Sequence, residues 1–341
     1  MKKLGFGIIG LGAISPLHLQ GIDECEGARL AAVADVSKER AQEIGEMRGV
    51  PWYTDYHDLL SNPDVDVVCI LTPSGLRGAV CIDTARAGKH IIAEKPLEVS
   101  LEKVDPIIEE CDKAGVNLAV IFQARFLPGV LAARKAVMDG RLGRLVLGGA
   151  YIKWHRSQDY YDSAGWRGTW ALDGGGALMN QGIHYVDLLQ WMMGPVESIC
   201  GHYATLARNI EVEDTAAACL KFANGGLGVI EACTSAKAGF PARLEIRGDK
   251  GTVVIEDGNI VIWDIEGDEG FVADTVETGS GSTSPMAITA AGHIAQIRDM
   301  VDAVNEGRPP VVDGREARKS IEIISGIYQS SRTEAQVRLP L

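Results

Sequence analysis

The stretch Leu4–Ser15, reading Leu-Gly-Phe-Gly-Ile-Ile-Gly-Leu-Gly-Ala-Ile-Ser, constrains this chain more than any other. An apolar run ending in Ile8-Ile9 reads as a buried strand. Gly10 and Gly12 then allow a tight turn whose backbone N–H groups, with those of Ala13 and Ile14, can approach a pyrophosphate. Ser15 followed by Pro16 reads as an N-cap and a first helical residue. Strand, glycine turn and helix N-terminus together make an anion site, because unpaired N–H groups and the helix dipole converge there. The third glycine of a G-x-G-x-x-G pattern is Ser15 here. A second apolar strand, Leu30–Ala34, ends in Asp35, about 20 residues on, where a carboxylate would hold ribose hydroxyls.

The next elements alternate. A helix is expected near Pro16–Cys25, another near Lys38–Met47 and a short one at Asp55–Leu60. Val65–Leu71 is continuously apolar, as in a parallel strand covered on both faces. Helix Ala79–Ala87, strand His90–Ala93, helix Leu101–Ala114 ended by Gly115, and strand Asn117–Phe122 follow. The pattern predicts a doubly wound parallel sheet of about six strands over residues 1–122. After Gln123 the character changes. Helix Leu127–Asp139, strand Arg144–Tyr151 and a helix from Gly175 to Met193 precede long β-like runs: Val196–Ala207, Thr215–Phe222, Gly228–Thr234, Arg243–Arg247, Thr252–Glu256 and Ile260–Trp263. Glycine-containing turns at 224–226, 248–251 and 257–259 fit hairpins. Residues 123–341 therefore read as an α+β domain on a large, mostly antiparallel open sheet. Glu266–Pro285 reads as an exposed excursion, and helices near Met286–Glu306 and Gly314–Ser331 close the chain.

Composition narrows the function. The chain's 341 residues are 46% hydrophobic, enough for two sizeable cores, and its formal net charge is -13. That balance disfavours nucleic acid and anionic membrane as partners. The seven cysteines are scattered without a C-x-x-C pair, so they read as reduced thiols of a cytoplasmic protein with no zinc or disulfide framework. Lys2 and Lys3 precede an apolar run that glycines interrupt, which argues against a signal peptide. No stretch of 18 apolar residues is present.

Further motifs occur in a fixed order. Thr72-Pro73 ends the strand before Glu94-Lys95-Pro96, which itself follows strand His90–Ala93. Gly174-Gly175-Gly176 precedes a helix holding Asn180, His184 and Asp187. Together they resemble the glucose–fructose oxidoreductase / inositol dehydrogenase (Gfo/Idh/MocA) family over essentially the whole chain. The stretch from Gly165 through His184 most resembles the sugar and sugar-nucleotide 3-dehydrogenases. The resemblance implies a Rossmann domain, then an α/β domain whose open sheet is covered by a second subunit, as a homodimer or homotetramer.

It implies a hydride transfer between a nicotinamide and a secondary alcohol of a sugar, inositol or sugar derivative. Such chemistry needs a base for the hydroxyl proton. Lys95, His184 and Asn180 are the catalytic candidates. Lys95 follows a strand's C-terminal end, where doubly wound sheets bind ligands. Asn180 at i−4 and Asp187 at i+3 share the helix face of His184, so a polar stripe can orient the imidazole. Inositol dehydrogenase, which the chain resembles, carries an aspartate where Asn180 stands. The cofactor candidates are Gly10, Gly12, Ala13, Ile14, Asp35, Thr72, Pro73, Glu94 and Lys95. Asp35 favours NAD over NADP, while Ser37 and Arg40 beside it leave room for NADP. Arg125, Arg156, Trp166 and Arg167 join Lys95, Asn180 and His184 as substrate candidates, because aromatic faces and guanidinium groups suit a ring with hydroxyls or an acid group. Arg156 and Arg167 can equally pair with Asp162 or Asp173. Arg77 stands where relatives often show a histidine. A non-catalytic NAD(P)-binding sensor or partner subunit is the second reading; retention of Lys95 and His184 favours the enzyme.

Overall fold

The computed structural model describes residues 3–268, 270, 281–282 and 289–341. The chain forms two compact units, Met1–Gln123 with Ala290–Arg318, and Ala124–Thr289 with Lys319–Leu341.

The first unit is built on β1 (Leu4–Ile9), α1 (Ser15–Glu24), β2 (Ala28–Ala34), α2 (Lys38–Arg48), β3 (Trp52–Tyr53), α3 (Tyr56–Leu60), β4 (Val67–Ile70), α4 (Ser74–Arg86), β5 (His90–Ala93), α5 (Leu101–Ala114) and β6 (Leu118–Val120). The six strands are parallel in the order β3-β2-β1-β4-β5-β6. The order reverses direction between β1 and β4, which makes their carboxyl ends the switch point where such sheets take ligands. Apolar runs without alternation give strands buried on both faces: every residue of β1 and β4 is buried.

The second unit holds α6 (Pro128–Met138), β7 (Leu145–Lys153), α7 (Gln158–Asp162), α8 (Ile183–Met193) and strands β8 (Val196–Ala204), β9 (Thr215–Phe222), β10 (Leu227–Cys233), β11 (Arg243–Gly248), β12 (Gly251–Glu256) and β13 (Asn259–Ile265). Helix α9 (Ala291–Glu306) belongs to the first unit. Helix α10 (Gly314–Thr333) crosses the division, and β14 (Val337–Arg338) ends the chain. The eight-stranded sheet runs β13-β12-β11-β7-β10-β9-β8-β14, antiparallel except for the β7–β10 pair. In β9 the alternation is clean: Ala216, Ala218, Leu220 and Phe222 are buried, whereas Ala217, Cys219 and Lys221 are exposed. Helix α8 covers the inner face, and a Cβ on Gly148 would meet Met193 Cγ at 2.7 Å and Leu189 Cδ1 at 2.8 Å.

The fold differs from the sequence reading most in three places, beside the added β3, α7 and β14 and the earlier start of α4 at Ser74. The first unit takes back residues 290–318, so it is not the contiguous 1–122, nor is the second 123–341. The reason is packing: α9 buries His293, Gln296, Ile297, Met300 and Val301 along one stripe, against the apolar core under α1. Ser15 is not an N-cap. It is the first residue of α1, its hydroxyl donates to the Gly12 carbonyl at 2.8 Å, and Ile14 precedes it without a side-chain cap. The helix expected from Gly175 to Met193 is divided. Ala177–Gly182 is π-helical, with the Gln181 N–H reaching the Gly176 carbonyl at 3.1 Å, and α8 follows. The excursion Glu266–Pro285 lies largely outside the described residues.

Candidate active site

At the switch point of the first unit, Gly10 adopts φ +94 and lies against the end of β4; a Cβ there would meet the Leu71 carbonyl carbon at 3.1 Å. The backbone N–H groups of Gly12, Ala13 and Ile14 donate to no acceptor among the described residues. A Cβ on Gly12 would meet nothing within 4 Å. Uncommitted donors at the start of α1, with open space over them, fit the pyrophosphate of a dinucleotide. The Thr72 hydroxyl on the neighbouring loop is buried without a hydrogen-bond partner, and Pro73 caps α4 beside it. Asp35 closes the other side. Its Oδ2 accepts from the Leu11 N–H at 2.7 Å, and its Oδ1 from the Ser37 N–H and Arg40 Nη2, both at 2.8 Å. Burial, which raises this carboxyl, is outweighed by Arg40 and the two N–H groups, so it sits below the ordinary carboxylate range. Oδ2 keeps an acceptor site for ribose hydroxyls, and the charge opposes a 2′-phosphate.

Glu94-Lys95-Pro96 leaves β5 toward the same edge. The Lys95–Pro96 peptide is cis. Buried Arg77 holds the segment by donating Nη1 to the Pro96 carbonyl and Nη2 to the Thr72 carbonyl at 2.6 Å. Arg77 thus belongs to the framework of this loop. Glu94, expected as a cofactor ligand, faces inward. Only 7% exposed, it accepts from His18 and from its neighbour's N–H.

In the second unit the turn Gly174–Gly176 opens the segment bearing Asn180 and His184. Glu213, wholly buried, takes the Gly176 N–H at 2.9 Å on Oε2 and the Leu178 N–H at 2.8 Å on Oε1. Asn180 donates to Asp173 Oδ1 at 2.5 Å, and Asp173 Oδ2 accepts from the Gly168 N–H. Asp187, which helical spacing puts on the face of His184, receives Nε and Nη2 of Arg125, each at 2.7 Å, in a pair about 1% exposed. Arg125 therefore fixes α8 from inside and offers no free guanidinium to a substrate. Arg156 is also consumed: it is 2% exposed and donates to Gln181 Oε1 and to the carbonyls of Gly281 and Ser282. Neither Arg156 nor Arg167 pairs with Asp162, whose Oδ1 accepts from Gln158 Nε2 at 2.9 Å. Arg167 remains half-buried, stacked 4.3 Å over Tyr160 and 4.6 Å over Trp166, with Nη1 on the Tyr160 hydroxyl.

The sequence reading missed His18, His293 and Glu213. His18 and His293 are single polar residues in largely apolar runs, Glu213 sits among other acids, and each has its partner far along the chain.

Residues 4–122 match the model of an oxidoreductase family with an NAD-binding Rossmann fold, and 130–254 match a GFO/IDH/MocA C-terminal domain. The chain belongs to the Gfo/Idh/MocA family. Myo-inositol 2-dehydrogenase of Thermotoga maritima is 28% identical over 349 residues, covering 98% of both chains. The WlbA dehydrogenase of Bordetella pertussis, solved with NADH and UDP-GlcNAcA, is 34% identical over the full length of both chains, with a TM-score of 0.89. A levoglucosan dehydrogenase solved with NADH and L-sorbose is 25% identical over both full chains, with a TM-score of 0.88. The chain is an oxidoreductase with NAD as cofactor. Nothing in these likenesses supports a non-catalytic sensor. Among the described residues no helix is long and apolar enough to cross a membrane.

Proposed function

We propose that this member of the family oxidises a ring secondary alcohol of a sugar, inositol or sugar derivative. Bound NAD supplies the hydride acceptor. Of the chain's own residues, His184 takes the hydroxyl proton, Asn180 orients that hydroxyl, and Lys95 polarises the oxygen and passes the proton on. The observation that carries the reading is how firmly the backbone around Lys95 is held: Arg77 grips one side and the Glu94 carboxylate the other, at the edge where the cofactor's donors lie. A lysine on a merely solvated loop needs no such support. The relatives' names and bound molecules are cyclic polyols and their derivatives, which favours a sugar-like substrate. Arg167, sandwiched on two aromatic rings, suits an acid group on that substrate.

A panel of myo-inositol, levoglucosan and UDP-GlcNAcA, followed by NADH absorbance, tests the class; no turnover on any of them counts against it. On the active compound, Lys95→Ala and His184→Ala should each lower turnover by about 10²–10⁴-fold. Near-wild-type rates in both would overturn the roles.

We also propose that the outer sheet face is covered by a second copy, as a dimer or a dimer of dimers, in the cytoplasm. Leu147 and Leu227, direct partners across β7 and β10, are 41% and 56% exposed there. Cys200 and Cys219, partners across β8 and β9, are exposed on the same face. All seven cysteines are free, which suits a reducing compartment. Light scattering that finds a stable monomer would contradict the assembly.

A further inference from the structure

Glu94 is the most constrained side chain next to the proposed active lysine. Its Oε1 lies 2.9 Å from His18 Nε2 on α1 and 3.5 Å from His293 Nε2 on α9, and its Oε2 accepts the Lys95 N–H at 3.2 Å. His18 is fully buried and His293 is 1% exposed. The imidazoles meet edge to face, with centroids 5.3 Å apart at 70°. Close packing brings the two helices together: a Cβ on Gly21 would lie 2.5 Å from Ile297 Cδ1.

Burial alone would raise the Glu94 carboxyl, yet the two histidines hold it well below the usual carboxylate range. Burial pushes His18 down, with Glu94 opposing, so His18 is the neutral partner and its Nε2–H is the donor. The ionised Glu94 is therefore hydrogen-bonded to His18 of α1 at one oxygen, with the His293 imidazole of α9 lying 3.5 Å from that same oxygen, and to the Lys95 peptide at the other.

We infer that His18 and His293 are positioning residues for Lys95, acting through Glu94. The inference rests on the role proposed for Lys95. Helix α1, the lysine loop and α9 are three segments far apart in sequence, and they meet at this carboxylate. Arg77 holds the far side of the same loop at Pro96, so removing a histidine frees only the Glu94 side. A purely structural histidine pair would affect stability and leave the kinetics of the folded enzyme alone.

The ligating atoms of His18, Glu94 and His293 also lie within 4.8 Å of one another, a spacing that suits a cation. Metal analysis of the purified protein separates the cases, and a tightly held ion at one per chain would overturn the hydrogen-bonded assignment.

The decisive variants are at His293, whose imidazole approaches the loop at Glu94. His293→Leu should lower kcat about tenfold or more on the active panel sugar, with KM and NADH affinity unchanged. His293→Gln, which keeps an N–H donor, should restore most of it. In a Lys95→Ala background, His293→Leu should have no further effect, because both changes act on one group. Labelling of Lys95 by a water-soluble amine reagent, read by peptide mass spectrometry, should change rate in His293→Leu while other lysines do not. Unchanged kcat and labelling in His293→Leu, or equal further loss in the Lys95→Ala background, would overturn the inference alone. Wild-type turnover in Lys95→Ala would overturn the proposed role of Lys95 and this inference with it.

Discussion

Two glycine-rich turns, one in each unit, open helical segments, and they end in opposite states. In the first, Gly10–Ile14, three backbone donors find no acceptor among the described residues, and the space beside Gly12 is open. In the second, Gly174–Gly176, the acceptor is built in. Glu213 takes the N–H groups of Gly176 and Leu178, and its own backbone carbonyl takes that of Ala177 at 3.0 Å. A Cβ on Gly176 would sit 2.1 Å from that carbonyl, so only glycine fits. A helix start left open takes an anion from outside; one filled from within becomes a rigid base for the helix beyond it. Here that base carries Asn180 and His184.

The largest effect should come from emptying the filled turn. Glu213→Leu orphans two buried N–H groups, each costing about 1–3 kcal/mol, so denaturant melts should show a loss of about 4 kcal/mol. A loss below about 1 kcal/mol would mean the turn does not depend on Glu213.

The next effect depends on pH. Burial raises the Glu213 carboxyl from 4.5 to about 7, against the opposing N–H groups of Leu178 and Gly176. Folding thus takes up a proton. This contribution to stability is complete below the unfolded value of 4.5 and is lost as pH rises through about 7. At about 1.4 kcal/mol per pKa unit the loss amounts to about 3 kcal/mol. Urea melts of wild type and Glu213→Gln at about pH 5 and about pH 8 test it. The glutamine variant should gain on wild type at the higher pH, and parallel profiles would refute the titration.

A smaller effect belongs to the open turn. With Asp35 ionised and holding Arg40, NADH should bind about tenfold tighter than NADPH, about 1.4 kcal/mol. Asp35→Ser frees Arg40 for a 2′-phosphate and should level the two affinities. Calorimetric titrations giving equal affinities in wild type would contradict this.

Local signals were legible wherever one segment decides its own structure. Helix Leu101–Ala114 ends at Gly115, which takes φ +67, and the β-like run Thr215–Phe222 is a strand with alternating burial. The turn after β1 and the strand ends before Asp35 and Glu94 were legible for the same reason. Buried polar partners were not. Periodicity shows which face of a helix is apolar, but not which carboxylate a buried histidine will meet 76 residues away, as His18 meets Glu94. Arg125 and Asp187, 62 residues apart, are two charges that look substrate-facing until each consumes the other. The π-helical turn at Ala177–Gly182 escaped notice because its widening depends on the close approach of Gly182 to the Ala177 carbonyl, which a Cβ would bring to 2.8 Å.

The most direct test of the contrast is an NADH titration of Gly12→Val, with melting measured on the same sample. A Cβ at Gly12 meets no protein atom within 4 Å, so the fold should melt as wild type does. NADH affinity should nonetheless fall by about tenfold or more, because the side chain would occupy the space left for the pyrophosphate. Wild-type NADH affinity in Gly12→Val would contradict the account.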